Sequence, residues 1–394
     1  MQSNFHPTEL TLGRISPSRY TRLLGCPLRE LLAASKKIRP LSPSVPSAKV
    51  GVAIHSLVEK AGKGDLDGFS QLDILSAWEG IIGAIEQEMN SNDLDRHLVP
   101  LKRNMIDYEV KMRRACLFAA KLTETRNAPL PSSFPELQRR KVGGEIWVQN
   151  LSGSVGGYID LVRSGPDGLS LVDYKTGAMV SPDDGQIKEE YDIQMKLYAA
   201  LYHEQEGIWP AKLLLEGLGG ESAEVQFTHD DCMRLLRSAE ASISELNTYL
   251  ERSCQSFHDL MGRMAKASSK ECRYCQWRPG CASYWNHVAT KQVDDGEWPC
   301  DVAGSVQETR TLRNGMGMIV LINPIGPFVG MDGTVRITGI DLSQQRFSIF
   351  LELMESDYVR IVNLSAKGAG GGYNCTPFTS ITKLNSEKEV TLWA

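Results

Sequence analysis

The sequence predicts an α/β protein in three parts: a helical N-terminal stretch, a mixed central sheet flanked by helices, and a small all-β, barrel-like domain at the C-terminal end. Three observations predict it. Apolar residues recur at helical spacing through most of the first 130 positions. Three short apolar runs separated by Gly, Ser, Pro and Asp turns follow between residues 145 and 175. Beyond about residue 310 the pattern is almost purely one of short strands. The expected boundaries are 1–135 for the helical part, 136–287 for the sheet core and a cysteine-rich end, 288–309 for a polar linker and 310–394 for the all-β domain.

In order along the chain, Tyr20, Leu23, Leu24, Leu28, Leu31 and Leu32 predict one helix opening near Ser16, and Ile54, Leu57 and Val58 a second starting near Val50. Helical patterns continue over 71–90 and 94–124. Strands are expected over 145–149, 154–162 and 169–175, then a helix over 186–206, a strand over 212–215 and a helix over 230–251. The final domain should hold strands over 317–322, 334–340, 347–353, 358–364 and 389–393. The glycine-rich run from Lys367 lacks a Gly-Lys-Ser/Thr ending and reads as a hairpin loop, so no ATP-binding phosphate loop is expected.

Composition excludes several classes. With 42% hydrophobic and 23% charged residues, the 394-residue chain can bury real cores. No eighteen-residue apolar run predicts a membrane span, and Met1 to Leu10 lacks a basic region followed by an apolar one, so a cytoplasmic location is expected. Nine cysteines without a secretory signal point to metal ligation or buried thiols rather than a disulfide scaffold. The net charge of −5 conceals two basic stretches, 1–50 and 100–141, each carrying a local excess of +6. They suit either a groove for a phosphate backbone or solvated helix faces.

The residues that carry chemistry lie on a predicted hairpin. Ser164-Gly-Pro-Asp-Gly168 is a strong turn signal. A turn centred on Pro166 and Asp167 puts Asp160 opposite Asp173, with Cβ atoms about 4.5–5.5 Å apart on one face. Lys175 lies two residues on and points the same way. Two carboxylates this close need a cation between them, and hard oxygen donors suit Mg²⁺ or Mn²⁺. Such an ion activates water for attack on a phosphoryl group, and a nearby Lys can orient that water or stabilise developing charge. A solubilising surface hairpin is the alternative. Its apolar neighbours Ile159, Leu161, Val162, Leu169, Leu171 and Val172 argue against it.

Asp160 followed by Asp173-Tyr-Lys175 on consecutive strands resembles the PD-(D/E)XK nuclease superfamily. Gln194-x-x-x-Tyr198 on the next helix resembles its RecB-like branch, in which that helix packs beside the active site and contacts DNA or orders the lysine. Gly51-Val-Ala-Ile-His55 with Glu59 is similar to the branch's helix motif, which implies His55 as a metal ligand beside Asp160 and Asp173. The resemblance thus implies Asp160, Asp173, Lys175, Gln194 and Tyr198 as catalytic residues. Glu145 on the preceding strand is balanced between a role in the site and a plain surface carboxylate.

Cys272-x-x-Cys275-x₅-Cys281, with Cys26 far upstream, offers four thiolates. Spacing alone leaves structural zinc and a [4Fe–4S] cluster open. The split pattern resembles the iron–sulfur staple of AddB-type nucleases, which implies the cluster. Cys116, Cys232, Cys254, Cys300 and Cys375 have no such company.

The resemblance implies a metal-dependent DNA nuclease acting on single-stranded or end-exposed DNA in repair, CRISPR adaptation or anti-phage defence. The alternative is a catalytically silent DNA-end-binding or adaptor subunit of a helicase–nuclease complex. The domain at 310–394 is expected to be a dispensable, possibly oligonucleotide-binding barrel whose exposed aromatics, such as Phe328, Tyr358 or Tyr373, stack on bases.

Overall fold

The computed structural model describes residues 7–35, 37–126, 143–165, 167–290, 298–367, 370 and 372–384. The first expected helix is two helices, α1 (Pro17–Gly25) and α2 (Pro27–Ala34). Pro27 has no N–H to carry the helix on and forces the residue before it into extended backbone. Cys26 therefore sits at the corner, at φ −152° and ψ 93°. A long helix α3 (Pro46–Lys63) follows and ends on Gly64 in the left-handed conformation at φ 90°. Helix α4 (Gln71–Asn90) opens with a reciprocal Ser70–Asp73 capping box. The expected helix over 94–124 is interrupted at Pro100, and only α5 (Tyr108–Arg126) is long.

The central sheet has the order β1 (Gly143–Gln149), β2 (Gly156–Gly165), β3 (Gly168–Lys175), β4 (Lys212–Gly217) and β5 (Ser222–Val225). All neighbours are antiparallel except β3 and β4, which are parallel and joined by the crossover helix α6 (Glu189–Glu206). Strand β3 is buried on both faces. Leu171 joins Leu213 and the α6 residues Leu197 and Leu201 in one core, which α1 and α7 (His229–Arg252) complete. Val172 and Tyr174 join Ile54, Leu57, Trp78 and Ala115 in the core beneath α3, α4 and α5.

Helix α8 (Phe257–Met264), a cysteine-bearing loop and α9 (Ala282–Thr290) lead to the barrel. Its strands β6 (Val302–Thr311), β7 (Met316–Ile325), β8 (Thr334–Asp341), β9 (Tyr358–Ala366) and β10 (Gly372–Lys383) close in the ring order β6-β7-β8-β10-β9. Only β8 and β10 pair in parallel. The expected strand over 347–353 is a 3₁₀-helix, Gln345–Glu352. Phe347, Phe350 and Leu353 are all buried at a spacing of three, which places them on one face of a three-residue turn. The expected strand over 389–393 lies outside the described residues.

The expected linker over 288–309 instead contains the end of α9 and most of β6, whose inward-facing Val302 and Val306 are masked in the sequence by Gly, Ser and Glu neighbours. Nor does the barrel hang on a tether. Arg278 in the cysteine loop is 2% exposed and donates from Nε and Nη2 to the Asp301 carboxylate at 2.7 and 3.2 Å. Asp301 also accepts from the Tyr284 hydroxyl at 2.7 Å and the Asn363 N–H at 2.8 Å. Tyr284, Trp285, Ala303 and Val362 form an apolar cluster across the same seam. The aromatics expected to stack on bases are otherwise engaged. Tyr373 is fully buried with its hydroxyl bonded to the Phe328 backbone, Phe328 packs on the barrel core, and Tyr358 packs into the seam.

Candidate active site

The β2–β3 hairpin forms in the predicted register. Gly165 pairs with Gly168, Val162 with Leu171 and Leu161 with Val172. The next pair in that register is Asp160 with Asp173; here the backbone ladder gives way to side chains, and Asp160 Oδ2 accepts the Tyr174 N–H at 2.7 Å. On the other side of β2, Gly144 pairs with Leu161 and Ile146 with Ile159, so Glu145 stands opposite Asp160. Glu145, Asp160 and Asp173 thus occupy one row across three adjacent strands. Like charges in direct cross-strand positions repel, so this row calls for cations.

Lys175 supplies one. Its Nζ lies 2.6 Å from Asp173 Oδ2 and donates to Gln194 Oε1 at 2.7 Å. Gln194 Nε2 donates back to Asp173 Oδ1 at 2.7 Å. The three side chains close a ring in which the amide bridges the paired ammonium and carboxylate and fixes both in place. Asp173 and Gln194 are each 4% exposed, and the Lys175 ammonium lies over the Tyr191 ring at 4.2 Å. Tyr198, one helical turn beyond Gln194, hydrogen bonds to it and lies against Gly157, where a Cβ would approach the hydroxyl to 3.2 Å. Burial holds Tyr198 neutral by raising its pKa, and the Asp173 and Asp160 charges add to this.

A sequence-family model described as the PD-(D/E)XK nuclease superfamily matches residues 14–282. The chain belongs to the PD-(D/E)XK nuclease superfamily. The match runs from just before α1 to just past Cys281 and leaves the barrel outside. No curated protein matches the chain. Superfamily members are generally nucleases and typically use Mg²⁺ or Mn²⁺.

Electrostatics in this PD-(D/E)XK site bear on whether its residues fit such an ion. Burial, and next the Asp173 charge, push the Asp160 pKa up to about 8. A divalent cation bound there would displace that proton and relieve the repulsion between the two carboxylates. Asp173 Oδ2 is buried and accepts no well-aligned hydrogen bond, although Lys175 lies beside it. His55 on α3 is open to solvent, yet the protein around its ring pushes its pKa down, with the Asp173 charge acting the other way. That combination describes a side chain on the wall of a cleft, held as the neutral imidazole a metal needs. Among the described residues, no three His, Cys, Asp or Glu side chains gather closely enough to hold a metal ion as they stand. The donor set is nonetheless one for Mg²⁺ or Mn²⁺: hard carboxylate oxygens, one lacking a hydrogen bond, with an imidazole beside them.

Sequence reasoning underweighted two neighbours. Glu145 is in the carboxylate row, at a positive φ of 51°, and shares Lys63 with Glu59; the Lys63–Glu145 contact is 2.5 Å. Only the β1–β2 register reveals this, and the sequence between β1 and β2 has no turn signal sharp enough to fix it. Tyr191 beneath Lys175 went unnoticed, although it lies one helical turn before the singled-out Gln194, at i−3.

Cys26, Cys272, Cys275 and Cys281 all line one pocket, together with Arg29, Phe257, Met261 and Tyr284. Burial pushes the Cys272 pKa up to about 11, Cys281 up to about 12 and Cys275 upward as well. Thiols in so apolar a pocket become thiolates only against a strong cationic centre. The break at Pro27 is what turns Cys26 toward the other three.

Proposed function

We propose that the protein is a metal-dependent DNA nuclease of the RecB-like branch that acts on single-stranded or end-exposed DNA and hydrolyses phosphodiester bonds. The observation that carries this reading is the Asp173–Gln194–Lys175 ring beside Asp160. It holds the Lys175 ammonium against the acids that would hold a metal. Asp160, Asp173 and His55, with Glu145 in support, are the proposed ligands. When bound, Mg²⁺ or Mn²⁺ supplies Lewis acidity toward the phosphoryl oxygen and a water of lowered pKa. Lys175 orients the attacking water and offsets charge building on the phosphate. Gln194 fixes where the ammonium sits, and Tyr191 shields it from bulk water. Tyr198, held neutral by burial, lies beside Gln194 and sets the spacing of α6 from β2.

The four-cysteine pocket is proposed to hold a [4Fe–4S] cluster that staples α1–α2 to the chain after α8. The thiols ring a cavity rather than meet at a point, whereas zinc would draw every sulfur to about 2.3 Å from one centre. The ring order of the barrel strands, with β8 and β10 parallel, supports an oligonucleotide-binding type of barrel. An assay with Mn²⁺ on single-stranded DNA, blunt duplex and closed circular duplex tests the activity. Cutting of the first, or of duplex only from its ends, is expected; indifference to DNA of every form would refute it. Metal analysis after anaerobic preparation should give iron, and zinc without iron would overturn the cluster.

A further inference from the structure

An open cavity outside the active site lies on the seam between the superfamily core and the barrel. It is lined by Ser42, Val45, Arg273, Tyr274, Asn363 and Phe378, among others. We propose that this seam is a binding site for one nucleotide unit of a single DNA strand, with the base on Tyr274 and a phosphate on Arg273. The proposal rests on the nuclease reading and adds to it a substrate contact away from the chemistry.

Four observations carry it. Tyr274 is 58% exposed, although it opens onto a cavity, so an aromatic face is presented there that the fold does not use. Arg273 next to it makes no ion pair among the described residues, its guanidinium resting 5.9 Å from the Tyr274 ring. Among the described residues no Asp or Glu lines the cavity, and its other arginine, Arg278, is neutralised by Asp301. Flat aromatic surface beside an unopposed guanidinium is the chemistry that takes a base and its phosphate.

Position supplies the fourth. Val45, in the lining, is the residue on which α3 opens, and it has no side-chain group to cap the helix's free N–H donors. Ten residues on, the same helix carries His55. At a rise of 1.5 Å per residue the seam and the active site are about 15 Å apart along α3, a gap that a few nucleotides of extended strand cover. The loop carrying Tyr274 is tied to this end of α3, since Leu41 N–H and Gln276 Nε2 bond across it at 3.0 Å each. The seam also gives the barrel a part in the substrate contact that does not depend on its buried Tyr373: it builds one wall of the cavity.

The test uses the full chain and a fluorescein-labelled fifteen-residue oligothymidylate in EDTA, where a metal-dependent nuclease cannot cut. Tyr274→Ala should weaken binding by about tenfold or more, while Tyr274→Phe retains it. Arg273→Ala should weaken binding and lower the slope of log affinity against log salt by about one. Both side chains are exposed, so melting temperatures should stay at the wild-type value and separate lost contact from lost fold. If Tyr274→Ala and Arg273→Ala bind as wild type does, this inference fails alone. If the wild type neither binds the strand nor cuts it with Mn²⁺, the nuclease reading fails and takes the inference with it. Displacement of the labelled strand by thymidine monophosphate as effectively as by unlabelled oligothymidylate would overturn the strand in favour of a free nucleotide.

Discussion

Asp160 illustrates how a single residue couples the fold to a cation. Its pKa of about 8 in the folded protein lies above the ordinary aspartate value of 3.8, so the fold binds a proton that the unfolded chain has released. Between those two values the native state holds more protons, and stability falls as pH rises. In metal-free protein the melting temperature should drop between about pH 4 and pH 8, and Mn²⁺ should reverse that drop, with its largest effect at the alkaline end. Differential scanning fluorimetry across pH checks this; a metal effect that shrinks as pH rises would mean that Asp160 is no ligand. Gln194 acts through Lys175 and Asp173. Gln194→Ala should therefore cut cleavage by about 10- to 100-fold and raise the Mn²⁺ concentration needed for half-maximal rate, with Gln194→Glu failing to restore either. The Asp160–Asp173 opposition was legible in the sequence because a sharp turn fixed one register. Glu145 was not legible as the third acid, because nothing in the sequence counts residues across β1 and β2.

Elements place these residues with little freedom. Strand β2 approaches α1 and α6 so closely at Gly157 that a Cβ would lie 3.1 Å from Pro17 Cδ and 3.2 Å from the Tyr198 hydroxyl. Gly157→Val should destabilise the protein by about 1–3 kcal/mol through overpacking and displace Tyr198. Urea unfolding measures the first effect and loss of activity beyond the loss of folded protein the second. Pro27 shows where helical periodicity misleads. Leucines on both sides of it share one heptad-like pattern, so the sequence reads as one helix, yet the break is what delivers Cys26 to its three partners. At Phe347, Phe350 and Leu353 a spacing of three was read as an extended run, and a 3₁₀-helix buries all of them instead. Short apolar runs without a clear period carry that ambiguity.

The whole molecule is bolted at Arg278. One guanidinium donates to carbonyls of the cysteine loop at Cys272, Arg273 and Cys275 and, across the seam, to Asp301 and Asn363. The sequence showed the two parts but not the bolt, since an ion pair between residues 278 and 301 spans a stretch that reads as a polar linker. Removing one partner strands a buried charge, so Asp301→Ala should cost about 3–5 kcal/mol, and the Arg278→Met/Asp301→Leu pair markedly less. Chemical denaturation of the full chain distinguishes these. For the same reason a chain cut after residue 294 should be insoluble or unable to keep a metal in its cysteine pocket, in place of the independent core that the sequence suggested. Above all, the account holds that this fold assembles one metal-dependent hydrolytic site from Asp160, Asp173 and Lys175. The most direct measurement is Mn²⁺-dependent cleavage of single-stranded DNA by wild type, Asp173→Asn and Lys175→Ala, each verified as folded by its melting curve. The account predicts cutting by the wild type that EDTA abolishes, and a loss of at least about a thousandfold in both variants; cleavage by either variant within a few-fold of wild type would contradict it.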